Sequence, residues 1–189
     1  LILLLALAAG LLVGSLRAWV SHRPLRAPAL SLLWLVPVAL LPQFIAFMMP
    51  STRNAINDRL AAGALISSLV LLLFFVWFNR RTPGMWALGL GLVLNLAVIA
   101  LNRGLMPITP ETVRLVAPNL PPDAIQLGHR VGSSKDIALA VQDMKLWWLS
   151  DRFVLPAWFP TRAAFSIGDV IIALGTVLLL WSIGRPINR

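Results

Sequence analysis

Residues able to do chemistry are scarce in this chain, and they gather at two junctions. One apolar stretch leaves through Leu101-Asn102-Arg103-Gly104-Leu105-Met106-Pro107, and another begins Phe165-Ser166-Ile167-Gly168-Asp169-Val170. With Asp151 between them, the candidate junction residues are Asn102, Arg103, Asp151, Ser166 and Asp169, in a structural or a ligand-binding role. Local helix physics explains much of the pattern. A cation such as Arg103 at a helix C-terminus offsets the dipole, and Gly104 suits a left-handed stop. Ser166 suits an N-cap, with Asp169 at the electropositive end of the helix that follows. One junction leaves its apolar stretch and the other enters the next, so both are expected at the same, outer surface of a membrane. Arg103 and Asp169 are therefore expected to approach each other and close the outer end of the bundle, with Asp151-Arg152 able to join the network.

Other chemistries are excluded by what is missing. The chain has no cysteine, which removes disulfides, thiolate metal sites and cysteine nucleophiles. Both histidines, His22 and His129, lie in connections, so no apolar stretch offers an imidazole to haem or metal. Besides Asp58 and Asp169 the acids are Glu111, Asp123, Asp136, Asp143 and Asp151, all between the two junctions, and no triad or carboxylate pair is legible from spacing. No catalytic residue, metal ligand or cofactor is assigned. Inside the apolar stretches the polar groups are Gln43, Ser67, Ser68 and Asn95. An amide there is costly without a partner, so Asn95 is expected to face other helices, in an interhelical hydrogen bond or on a substrate path. No acid or base sits at the middle of a stretch, which argues against a proton pump or an ion-coupled transporter.

The elements that must carry these residues follow from hydropathy. The 189 residues are 59% hydrophobic and 12% charged, with mean hydropathy +0.84. Too few charges are present to cover a soluble domain. The expected fold is an all-α integral membrane protein with about five transmembrane helices, over 1–16, 30–49, 60–78, 85–101 and 166–183, since a crossing takes roughly 20 apolar residues. Residues 1–101 then hold four helices, 102–164 an extracytoplasmic cap, and 165–189 the fifth helix with a basic tail. Pro37 and Pro42 kink the second helix. Gly10, Gly14, Gly84, Gly89 and Gly91 permit close helix approach. The chain starts at Leu1 rather than Met, so a short preceding piece is expected, and the first stretch reads as a retained anchor.

Charge orients this architecture. The net charge is +9, from fourteen Arg and two Lys against seven acids. Arg17, Arg23 and Arg26 fill the first connection, Arg80 and Arg81 the third, and Arg185 and Arg189 the tail. These flank apolar stretches, so nucleic acid is not the expected partner, and the positive-inside rule puts this side in the cytoplasm. The expected location is a bacterial inner membrane, with the N-terminus outside and the C-terminus cytoplasmic. Trp19, Trp34, Trp77, Trp86 and Trp181 fall near the cytoplasmic ends, where indoles anchor at the headgroup level. Trp147 and Trp148 are the corresponding anchors of the cap.

Within the cap, 106–122 carries Pro107, Pro110, Pro118, Pro121 and Pro122 and should be extended and turn-rich rather than helical. Residues 133–149 read differently. Ser133 with Asp136 resembles a capping box, and Ile137, Ala140, Val141, Met144 and Trp148 recur at helical spacing opposite Gln142 and Asp143. An amphipathic helix is expected, flat on the outer leaflet or over the bundle.

Three pieces of this sequence resemble a family of small bacterial integral membrane proteins of unknown function. They are Asn102-Arg103-Gly104-Leu105-Met106-Pro107, Asp151 with Pro156, and Ser166-Ile167-Gly168-Asp169. The resemblance implies the membrane architecture and brings no activity. The expected function is a non-catalytic membrane subunit or scaffold, an accessory component of a larger energy-converting complex. Its partners would be the lipid bilayer and other membrane subunits. The alternative is a small-molecule or lipid-binding protein using the junction near Arg103 and Asp169. A lipid enzyme stands third, for want of clustered acids or a nucleophile.

Overall fold

Long apolar runs with no internal charge satisfy their own backbone as helices, and the chain is mostly helical. The computed structural model describes residues 2–22 and 28–182. Arg23, Arg26, Arg185, Arg189 and the last residue of the fifth apolar stretch, Ile183, lie outside the described residues. The helices are α1 (Ile2–Val20), α2 (Leu35–Gln43), α3 (Asp58–Phe78), α4 (Met85–Leu101), α5 (Pro110–Val116) and α6 (Ile167–Trp181). Among them α3 is long and apolar enough to cross a membrane, while Leu4–Val20, Leu35–Met48, Met85–Leu101 and Ile167–Trp181 are shorter apolar helices.

Caps and breakers set the boundaries. Asn57 accepts from the Leu60 N–H at 2.9 Å to start α3, and Gly84 at φ +85° turns the chain into α4. Proline acts in α2 by removing a donor. After Pro42 the helix widens into a π turn over Phe44–Met48, closed by the Met49 N–H on the Phe44 carbonyl at 3.0 Å.

Successive packing runs from α1 to α6, α4, α3 and α2, forming an arc in which α1 and α6 run parallel, their starts sharing one cavity and their ends joined by Arg17 and Trp181. The tightest seam is between α4 and α6. A Cβ at Gly91 would stand 2.6 Å from the Gly168 carbonyl oxygen, and one at Gly175 would stand 2.6 Å from the Leu88 nitrogen. Gly84 and Gly91 thus serve the close approach expected of them, but their partners are glycines of α6. Gly10 abuts Val177 and Leu180 of α6, and Gly89 meets the Val76 side chain. At one end of the arc lie Trp19, Trp34, Trp77, Trp86 and Trp181, all exposed. There the Arg17 guanidinium donates to the Trp181 carbonyl at 3.0 Å and packs over its ring.

The other end carries the segment between α4 and α6, which departs from expectation twice. Residues 110–116 are helical. Thr109 caps α5 through the Thr112 N–H at 3.2 Å, Pro110 occupies its first turn, and Glu111 follows at the positive end. The proline count hid a helix start that proline at N1 in fact favours. The amphipathic helix over 133–149 does not form. Asp136–Ala138 is strand β2, paired in parallel with β1 (Met106–Ile108) in the register Met106 to Asp136, and two 3₁₀ turns follow at Val141–Asp143 and Trp147–Leu149. Ladder pairing buries Ile137 and Ala138, while Val141 and Trp148 of the supposed apolar face stay exposed. It is Ser134, not Ser133, whose hydroxyl takes the Asp136 N–H, at 3.0 Å. Strands β3 (Phe153–Val154) and β4 (Ala164–Phe165) form an antiparallel pair before α6. The cap is not cored separately: Met106 and Leu149 join Leu65, Leu92 and Ile99 of the helices in one hydrophobic cluster.

Candidate functional site

Among the described residues the outer helices of the arc, α1 and α2, are not joined by extensive packing, and a cavity of about 300 Å³ lies there, with Ile2 on one side and Leu40 on the other. Leucines of α3 and α4 make its wall. Its polar atoms come from Gln43, Asn95, Lys135 and Asp169.

Strand β1 places the most unusual of these. The Met106 N–H donates to the Lys135 carbonyl at 3.0 Å, which fixes Lys135 at the entry to β2. The Asp151 N–H donates to the Pro107 carbonyl at 3.1 Å. These two bonds bring two distant residues against the same short strand. The Lys135 ammonium then donates to Asp151 Oδ2 at 2.6 Å and pairs with Asp136 Oδ1 at 3.6 Å. The Asp151 side chain is 2% exposed, and its Oδ1, like Asp136 Oδ1, is buried without a hydrogen-bond partner.

Asp169 approaches from α6. Ser166 Oγ accepts the Asp169 N–H, and Asp169 Oδ2 accepts the Ser166 N–H, each at 3.1 Å, which is the reciprocal capping box. Asn95 locks this pair to α4: its Nδ2 donates to Asp169 Oδ1 at 2.9 Å, and its Oδ1 accepts from Ser166 Oγ at 3.0 Å. Only glycine fits at 168, because a Cβ there would overlap the Asn95 amide oxygen. Gln43 contributes from α2, donating to Ser68 Oγ at 2.6 Å.

Electrostatics follows from burial. Desolvation disfavours the Lys135 ammonium, but Asp151, Asp136 and Asp169 together outweigh it and hold the amine protonated above the usual lysine range. Burial pushes the Asp151 carboxyl up to about 7 against the pull of Lys135, with Asp136 and Asp169 adding to the rise.

The candidate junction residues divide. Asp151, Ser166 and Asp169 converge around Lys135 and Asn95. Asn102 is a staple: its Nδ2 donates to the carbonyls of Val98 at 2.7 Å and Lys145 at 2.8 Å, and its Oδ1 accepts the Lys145 N–H at 2.9 Å. Arg103 does not pair with Asp169. It is exposed, left-handed at φ +61°, and donates to the Gly128 carbonyl at 3.2 Å. The expected closing pair is replaced because β pairing delivers Lys135, its side chain still 38% exposed, to the cavity wall beside the buried Asp151 and the half-buried Asp136. Arg152 turns away from the network and packs over Trp147, 4.4 Å from the ring centre. Periodicity put Lys135 on no functional face. The sole signal in the sequence was its rarity, as one of two lysines among sixteen strong bases.

The profile of a family of unknown function (DUF5317) matches residues 28–181. An uncharacterised protein of Thermotoga maritima is 29% identical over 113 residues, which cover 60% of this chain and 59% of that relative. The chain therefore spans about three-fifths of the length of the curated relative it matches. No solved structure matches the chain.

Proposed function

The chain belongs to the DUF5317 family, and from that premise we propose that it is a multi-pass membrane protein that binds an amphiphilic small molecule or lipid between its helices. The carrying observation is the cavity itself: apolar walls, four polar side chains among them, and, among the described residues, no extensive packing between α1 and α2. Sites of this make-up orient a ligand by a few polar groups and bind it by apolar area.

Membrane placement is supported by three features. The apolar helices alternate in direction along the chain, five tryptophans share one end, and large side chains such as Leu12, Leu60 and Trp86 are more than 60% exposed. Water would not tolerate such a surface, whereas lipid does. The shorter helices fit a bilayer by local thinning and by interfacial anchoring. Arg80 and Arg81 at the tryptophan end favour that end as cytoplasmic, with the cap outside, in a bacterial inner membrane. A ligand would enter sideways, between α1 and α2.

Native mass spectrometry of the chain released from nanodiscs tests this reading. The expected result is a single retained amphiphile that is lost when Leu72→Trp fills the cavity. Equal retention by that variant would put the adduct on the outer surface and overturn the reading.

The accessory-subunit reading keeps one observation of its own. Trp147, Trp148 and Trp158 are exposed on the cap, Trp158 to 80%, and exposed aromatics favour protein contacts. Extraction in mild detergent with a stable partner would support it, and a clean monomer would count against it.

A further inference from the structure

We infer that the ligand of this cavity carries a cationic, hydrogen-bond-donating head, a protonated amine on an apolar tail. This rests on the cavity-binding reading above. The groups that act on Lys135 and on one another are Asp136, Asp151 and Asp169, three acids against one ammonium, with Asp151 partly protonated near neutral pH. Arg130, the nearest guanidinium in sequence, pairs with Asp58 at 3.3 Å and donates to the Ile56 carbonyl at 3.0 Å, while its Nη1 is buried without a partner. The cluster is therefore short of positive charge in a place where low polarity makes each unmatched charge costly.

Donor accounting points the same way. Asp169, the carboxylate on the cavity wall, receives only neutral donors, Asn95 Nδ2 and the Ser166 N–H, while the acceptors left without a hydrogen bond, Asp151 Oδ1 and Asp136 Oδ1, are not on that wall. Lys135 stands between these carboxylates and the cavity, and Asp169 presents its carboxylate at the cavity wall. Lys135 is already paired with Asp151 and Asp136, whereas Asp169 is held by the neutral Asn95 amide and the Ser166 N–H, so an incoming ammonium would give Asp169 a cationic partner. Gln43 Oε1, whose amide nitrogen is committed to Ser68, offers a further acceptor on the opposite wall. An anionic head would meet the carboxylate excess and find the one ammonium already paired. The cavity volume suits a short chain or a small ring, not a two-tailed lipid.

The test uses the full chain in phosphatidylcholine nanodiscs with three probes that share a decyl tail: decylamine, decanol and decanoate. Saturable binding is read by native mass spectrometry, with Leu72→Trp subtracted as the cavity-filled control. The expected order is amine over alcohol by about tenfold or more, with the carboxylate weakest, as charge-assisted bonds add to a common tail. D136N removes a charge without touching the capping box and should lower the amine-to-alcohol ratio several-fold while leaving decanol unchanged. D169N should do the same more strongly, provided its thermal unfolding shows α6 intact. Decanoate binding tightest would show that Lys135 selects an anion, and equal binding of all three would show that the cavity reads only the tail. Either result overturns the cationic head and leaves the cavity reading standing. If no probe binds above the Leu72→Trp control, the cavity-binding reading itself falls, and the cationic head with it.

Discussion

The two ends of the helix arc treat buried polar groups differently. At the tryptophan end, Asn79 is 4% exposed and fully satisfied. Its Oδ1 accepts the Ser31 N–H at 2.7 Å, and its Nδ2 donates to the carbonyls of Ser31 at 2.9 Å and Phe75 at 2.8 Å. At the cap end Asn102 staples the 145 loop with the same bonds. Beside it, however, sit an ammonium and three carboxylates, two of which keep a buried oxygen without a donor. Stapling needs only neutral amides, whose partners are fixed backbone groups. Charges buried next to a cavity and left incompletely paired cost stability, and such a cost is retained where a ligand completes the set. The contrast sets a purely architectural end against the end that carries the proposed site.

Breaking the charged end should have the largest effect. Lys135→Met leaves the buried Asp151 without its cation and should cost about 3 kcal/mol in thermal unfolding in detergent, the low end for a buried pair because Lys135 is partly exposed and Asp151 can take up a proton. Adding Asp151→Asn should recover most of that loss. Failure of the double variant to recover would mean that Lys135 acts by packing rather than charge. Next, Gly168→Ala drives a methyl into the Asn95 amide, which Ser166 and Asp169 hold from both sides, and should cost about 3 kcal/mol. A neutral result would show that the α4–α6 seam can open. Asn79→Ala removes the staple at the other end and should cost about 2 kcal/mol without changing decylamine binding. A loss of binding there would erase the distinction between the ends.

A pH titration sharpens the comparison further. Asp151 binds its proton more tightly folded, at about 7, than unfolded, near 3.8. Between these values the folded chain holds a proton that the unfolded chain has released, so stability falls as pH rises from about 4 to about 7. The slope from one proton is at most about 1.4 kcal/mol per pH unit, and Asp151→Asn should flatten it. Lys135 keeps its proton throughout this window and gives up its stabilising charge only above the usual lysine range. The smallest effect is expected at Trp158→Ala, within about 0.5 kcal/mol, because that ring is exposed.

Much of the scaffold was legible beforehand. Residues 85–101 coincide with α4, and 60–78 begins only two residues inside α3, because apolar runs bounded by Asn57 and by Gly84 state their own limits. The Ser166 and Asp169 box was legible for the same reason, since capping involves only neighbours in the chain. The site was legible in part. Asp151, Ser166 and Asp169 were singled out, and Asn95 was expected to face other helices, as its bonds to Ser166 and Asp169 show. Lys135 was missed because apolar residues from 137 to 148 mimic a helix period. A strand two or three residues long has no period to recognise.

The sequence by itself determined the apolar helices, their order and their caps, because propensity, hydrophobic transfer and capping act over one or two turns of chain. Only the tertiary structure decided which charge goes inside. The register of Met106 with Asp136 carries Lys135 beneath the cap and brings Asp151 to it. The same register leaves Arg103 at the surface with Gly128. Strand pairing joins residues that no local pattern connects, and that pairing, not residue type, set one of two lysines beside the buried Asp151 at the centre of the candidate site.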